Sequence, residues 1–117
     1  NMCGVQTGWK DVFKVRPCTD SAGELMILCY QQDAWVEYQI EVEKTGTYSL
    51  GARYISTLLG GVMAVSVDGG KEQFVTFDKT SEWKCKWIDG LYLEKGKHTI
   101  RLTHKDGRVD FNWFYLD

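Results

Sequence analysis

Histidines, cysteines, carboxylates and tryptophans are the side chains of this 117-residue chain with the most chemistry to offer. His98 and His104 are its two histidines and stand six residues apart in "KHTIRLTHK". In an extended strand that spacing puts both on one face about 20 Å apart, too far for a shared metal or a nucleophile–base pair. They read as solvated strand histidines. Cys3, Cys18, Cys29 and Cys85 are even in number and contain no CxxC pair, which argues against zinc and leaves three full disulfide pairings open. Such a set fits an oxidising, secreted compartment, with four buried thiols as the alternative. None of the 16 acidic residues sits in an apolar neighbourhood that would raise its pKa for acid–base work. The glycine runs "LLGG", "DGG" and "KDG" lack the spacing and following helix of a phosphate loop. The chain is not expected to be an enzyme, and no catalytic residue is assigned.

The aromatic residues point to binding. "SEWKCKW", Ser81 to Trp87, places two tryptophans among lysines with Cys85 between them, and aromatic residues make up 14% of the chain. Tyr38, Tyr48, Tyr54 and Phe111 alternate with polar neighbours and belong in a core. Trp9, Tyr30 and Trp83 fall instead where strands should end, and exposed aromatic platforms mark binding surfaces.

Those positions follow from the elements around them. "WVEYQIEV" has period two, with Val36, Tyr38, Ile40 and Val42 on one face and Trp35, Glu37, Gln39 and Glu41 on the other. "KTGTYSLGARYI" repeats the pattern after a turn at Gly46, and "VMAVSVDGGKEQFVTF" reads as a hairpin turning at Asp68-Gly69-Gly70. "GLYLEKGKHTIRLTHKDGRVDFNWFYL" breaks at Lys95-Gly96 and Asp106-Gly107. No window sustains helical periodicity. Short strands with turns every few residues imply an all-β fold, a β-sandwich of two antiparallel sheets with jelly-roll topology, as one domain over residues 1–117.

Hydrophobic residues at 44%, charged residues at 26% and a net charge of −2 suit a globular chain. Scattered lysines and arginines offer no basic patch for nucleic acid, and no apolar run reaches the roughly 18 residues of a membrane span. "NMCGVQTG" shows no signal-peptide pattern, so the chain reads as a mature or excised piece.

Segments along nearly the whole chain resemble the family 6 carbohydrate-binding modules. "DAWVEYQIEVEKTGTYSLGARY" is similar to that family's "GDWVEY" strand, turn and "GTY" strand. "EWKCKW" resembles its loop tryptophan and following strand aromatic, "LEKGKHTIRL" its penultimate strand, and "VDFNWFYL" its last; "CGVQTG" and "CTDSAGE" resemble the early loops more loosely.

The resemblance implies a non-catalytic jelly-roll module, part of a larger secreted multidomain protein, whose partner is a polysaccharide such as a β-glucan (β-1,3-glucan) or xylan. It implies a loop cleft in which Tyr30 and Trp83 sandwich a sugar ring while Asp110, standing where the family has Asn, meets its hydroxyls, with Trp9 beside the cleft. Trp87 then falls on a strand and should be mostly core. No cofactor is expected. The family's structural calcium is doubtful here, because Asn112 replaces a usual Asp and the opening Ala-Glu pair is absent. The resemblance pairs Cys3 with Cys18 and Cys29 with Cys85, the second bridge fixing the gap between Tyr30 and Trp83. Burying one sugar face contributes about 3 kcal/mol, which with a few hydrogen bonds gives a Kd of roughly 10 μM to 1 mM. The alternative reading is a protein-binding β-sandwich of the adhesion type.

Overall fold

A computed structural model describes the backbone of residues 3–7, 14–17 and 25–29 and the backbone and side chains of residues 32–117. Its strands are β1 (Cys3–Thr7), β2 (Lys14–Pro17), β3 (Leu25–Cys29), β4 (Trp35–Val42), β5 (Gly46–Ile55), β6 (Gly61–Val67), β7 (Gln73–Phe77), β8 (Lys84–Leu93), β9 (Gly96–Gly107) and β10 (Val109–Leu116). They form two five-stranded sheets, ordered β1-β4-β9-β6-β7 and β2-β3-β10-β5-β8, in which every pairing is antiparallel. This is the β-sandwich that the period-two patterning requires.

The core lies between the sheets. Val36, Tyr38 and Val42 of β4 are buried while Gln39 and Glu41 are exposed, as the alternation demands. From the facing sheet come Leu50, Ala52 and Tyr54 of β5 and Phe111 and Phe114 of β10. Rings stack edge-on or tilted in a continuous chain, with centroids 5.0 Å apart for Tyr38–Phe114, 4.9 Å for Phe111–Phe114, 5.3 Å for Phe77–Phe111 and 4.9 Å for Tyr54–Phe77. These separations are those that aromatic quadrupoles favour.

Phe111 and Phe114 are an odd number of residues apart, so strict alternation would send them to opposite faces. An irregularity in the β10–β5 register between Phe111 and Trp113 resets the phase and turns both rings inward. Trp113 is thereby only half-buried. Trp87 departs further from expectation: it is 45% exposed on the outer face, its six-membered ring lying against Gly51, where a β-carbon would come within 2.8 Å of it. It is therefore not a core residue. Lys86 and Ile88 take the inward phase of β8 instead.

The hairpin between β6 and β7 turns as expected, with positive φ at Asp68 (52°) and Gly69 (72°) and a bond from Gly70 N–H to the Val67 carbonyl of 2.9 Å. Gly107, with φ of 72°, ends β9 so close to the β5–β6 loop that an added β-carbon would collide with the Gly60 carbonyl oxygen.

Candidate functional site

Antiparallel pairing gathers the segments after β3, β5, β7 and β9 at one end of the sandwich. Val109 stands opposite Cys29, Asp110 opposite Ile55, Tyr54 opposite Lys84, and Gly61 opposite both Phe77 and Gly107. Loops 56–60 and 78–83 and the turn at Arg108 are tied together there. Ser56 N–H donates to Thr80 Oγ1 (3.0 Å) and Thr80 N–H returns a bond to the Ser56 carbonyl (2.7 Å). Ser56 Oγ donates to the Arg108 carbonyl, and Arg108 N–H donates to the Gly60 carbonyl (3.1 Å). Ser56 and Thr80 are buried, so these bonds are shielded from competing water. Tyr54 adds a bond from its hydroxyl to the Asp78 carbonyl (3.1 Å), and burial, with the Asp78 charge, raises its pKa.

Trp83 is half-buried at the rim of this end, immediately before β8, as expected of a loop aromatic. At the same end a surface depression of about 450 Å³ is lined by Thr57, Lys79, Thr80 and Ser81. Leu58 and Leu59 project from the adjoining loop at 64% and 74% exposure. Asp110 lies at the same end of β10, facing Arg108 across 3.3 and 3.5 Å. Burial pushes its carboxyl above the usual range, against the pull of the guanidinium. Tyr30 and Trp9 lie outside the described residues, as does Cys18; Cys3 and Cys29 are described in backbone alone.

The expected Cys29–Cys85 bridge is corrected. β3 and β8 are separated in their sheet by β10 and β5, so the two backbones stand three strand spacings apart, about 14 Å. A disulfide needs Cα atoms no more than about 7 Å apart. Cys85 is a free, exposed thiol whose Sγ accepts from the Arg53 guanidinium at 3.7 Å. Cys85 and Trp87 point outward together, Cys85 opposite Arg53 and Trp87 opposite Gly51, away from the loop end.

A second concavity lies on the outer face of the β4-β9-β6-β7 sheet, the face to which period two assigns Trp35, Glu37, Gln39 and Glu41. Register sets Trp35 opposite Thr103, Thr103 opposite Ala64, and Ala64 opposite Phe74, so one row across the sheet runs from Trp35 over small residues to Phe74 at the β7 edge. Thr103, Ala64 and Ser66 are buried even though they face outward, while Phe74 is 63% exposed. The groove measures about 400 Å³ and is lined by Trp35, Ser66 and Thr103 together with Asp33, Glu37, Gly69, Glu72, Thr99, Arg101 and Lys105. Arg101 crosses it, with Cζ 3.9 Å from the centroid of the Trp35 ring and Nε 2.7 Å from Glu37 Oε1. Lys105 sits 3.3 Å from Asp33 and 3.7 Å from Glu72. The signal was present in "WVEYQ", where Trp35 heads the outward face. What it lacked was knowledge of which strands would flank it.

The histidines share one face of β9, as their spacing requires, but it is the core-facing side with Ile100 and Leu102. His104 is buried and His98 partly so; neither is a solvated strand histidine. Among the described residues no three His, Cys, Asp or Glu side chains converge so as to hold a metal ion.

Similarity to known proteins follows this geometry. The sequence model for carbohydrate binding module family 35 matches residues 7–116. A curated relative, mannan endo-1,4-beta-mannosidase B from a Piromyces species, is 28% identical over 82 residues, which is 70% of this chain and 14% of the relative's length. Among solved structures, the family 6 module of Cellvibrio mixtus lichenase 5A in complex with cellotriose has a TM-score of 0.81 at 16% identity, with 100% of this chain and 98% of that one covered. A family 35 module from Clostridium thermocellum has a TM-score of 0.80 at 19% identity, covering 96% and 90% of the two chains. The motifs that resemble family 6 thus sit on a fold that both families share. The family assignment moves accordingly: the chain belongs to carbohydrate-binding module family 35.

Proposed function

We propose that this module binds a neutral β-linked cell-wall polysaccharide, a β-glucan or a xylan, at the cross-tied loop end, with Trp83 as the aromatic platform. The observation that carries this reading is the set of bonds joining Ser56, Thr80, Gly60 and Arg108 at the end of the sandwich where the loop bearing Trp83 enters β8. Binding loops already held by buried hydrogen bonds lose little entropy when a ligand arrives, and a fixed indole covers the apolar C–H face of a pyranose while polar neighbours meet its edge. Lys79, Ser81 and Thr57 line the adjoining depression, and Asp110 with Arg108 supplies a paired polar edge. Tyr30, the residue that follows β3 in the sequence, is proposed as the opposing aromatic.

The module acts by retention, without turnover, within a larger secreted carbohydrate-active protein. Its likeness to 14% of a mannosidase supports that setting. Affinity electrophoresis through gels of laminarin, barley β-glucan, xylan and mannan tests the proposal. Retardation by a β-glucan or xylan, greatly reduced in Trp83→Ala to whatever the sheet-face groove retains, with the melting temperature held within a few degrees, is the expected result. Retardation by mannan alone would transfer the specificity, and none by any glycan would favour the adhesion-type reading.

The sheet-face groove favours a second sugar position. Trp35 beside Thr103 and Ser66 makes a trough with an aromatic edge that is open to a chain, with charged groups around it. In this conformation the Arg101 guanidinium occupies the Trp35 face that a sugar ring would take.

A further inference from the structure

His98 is held at both ring nitrogens by groups that only accept. Its Nδ1 lies 2.6 Å from Asp68 Oδ2 and its Nε2 lies 2.6 Å from the Glu94 carbonyl oxygen. A neutral imidazole has one donor, so this arrangement is satisfied only by the doubly protonated ring. Asp68 uses its other carboxylate oxygen to accept from Thr99 N–H (2.8 Å), and its own N–H donates to the Thr99 carbonyl (2.8 Å). Together these bonds pin the β6–β7 turn, with Asp68 in the left-handed region at φ of 52°, onto β9. That turn carries Gly69 and Glu72, which line the sheet-face groove, and Thr99 lines its floor.

We infer that His98 is a positioning residue for the sheet-face groove: its imidazolium clamps the 68–72 turn onto β9, and loss of the ring proton releases that wall and weakens sugar binding there. The groups facing the ring agree on the direction. Asp68 comes from the β6–β7 turn and Glu94 from the β8–β9 turn, and both favour the charged ring; Ile40, opposite it on β4, is apolar. The hydrogen bond to Asp68, then that to the Glu94 carbonyl, raise the His98 pKa above its ordinary value against the opposing effect of burial. Burial would raise Asp68, but its bonds from His98 and Thr99, with the His98 charge, hold it below the usual carboxylate range.

The inference rests on reading the groove as a sugar site, so one measurement is independent of sugar. Amide exchange at Gly69 and Gly70, corrected for the intrinsic pH dependence of exchange, is compared at about pH 5.5 and about pH 8.5 in the wild-type chain and in His98→Gln. Protection that falls about tenfold at the higher pH in the wild type, and is low at both pH values in the variant, is expected. Barley β-glucan retention is then measured in a Trp83→Ala background, which removes the loop-end platform. It should weaken about threefold or more over the same interval and lose that pH dependence with His98→Gln. Equal protection at both pH values in wild type overturns the clamp. Protection that shifts with no glucan retained at either pH supports the clamp and overturns the groove as a sugar site. Should His98→Gln fail to fold, Asp68→Asn removes the same charge pair from the other side, and the wild-type comparison needs no variant.

Discussion

At the scale of single residues, exposure and partners separate side chains that composition treats alike. Trp83, Trp87, Trp35 and Trp113 are all indoles on or beside strands, yet one rims the loop end, one lies over Gly51, one is covered by a guanidinium and one stands half-buried at an irregularity. Arg101→Ala should uncover the Trp35 face. Isothermal titration with a soluble β-glucan oligosaccharide is expected to show tighter binding or a second equivalent of sugar, and unchanged binding would mean that Trp35 is not a sugar platform. The cost in stability should be about 1 kcal/mol, since the Arg101 side chain is 41% exposed and partly exposed pairs contribute little. Cys85 should react as a free thiol in the native protein, and Cys85→Ser should leave both stability and sugar affinity unchanged, because no bridge joins it to β3. A Cys29–Cys85 dipeptide recovered from unreduced protein would contradict the strand order.

At the scale of elements, the loop end depends on contacts between segments distant in sequence. Gly107→Ala should cost about 3 kcal/mol or more, measured by urea unfolding, because an L side chain at φ of 72° is strained and its β-carbon meets the Gly60 carbonyl. Ser56→Ala leaves the Arg108 carbonyl without its buried donor and should destabilise by about 1 to 3 kcal/mol. It should also weaken polysaccharide retention more than an equal loss of stability made in the core, as the loops would no longer be held before binding. Phe111→Ala supplies that core comparison: its ring touches both Phe77 and Phe114, and its truncation should cost about 3 to 5 kcal/mol with little change in affinity.

At the scale of the whole molecule, stability should vary with pH through the His98–Asp68 pair. His98 is raised in the folded state, so its contribution is complete below its ordinary value of 6.5 and is lost as pH climbs through the higher folded pKa. Asp68 is lowered, so its contribution is complete above 3.8 and is lost as pH falls through the lower folded pKa. The pair therefore stabilises fully between those two values. Thermal unfolding followed across pH should show the melting temperature of wild type falling on the alkaline side of that window, with the fall flattened in His98→Gln. Identical alkaline limbs in the two proteins would show that the pair contributes nothing to global stability.

Local pattern alone determined the strands from Trp35 onward, the hairpin at Asp68-Gly69 and the inward set of Val36, Tyr38, Leu50 and Tyr54, because side-chain alternation and turn chemistry are properties of a few adjacent residues. It also placed Trp83 in a loop before β8. Tertiary structure alone decided the rest, because each remaining feature is a relation between strands far apart in sequence. The phase of β10 depends on an irregularity against β5, which turned Phe114 inward and left Trp113 half-exposed. The fate of Cys85 depends on β10 and β5 lying between β3 and β8. The groove exists because β9 and β6 bring Thr103 and Ser66 beside Trp35, and His98 became a clamp because β9 passes the turns that carry Asp68 and Glu94. Spacing along a strand says which residues share a face; only the order of strands in the sheet says what that face meets.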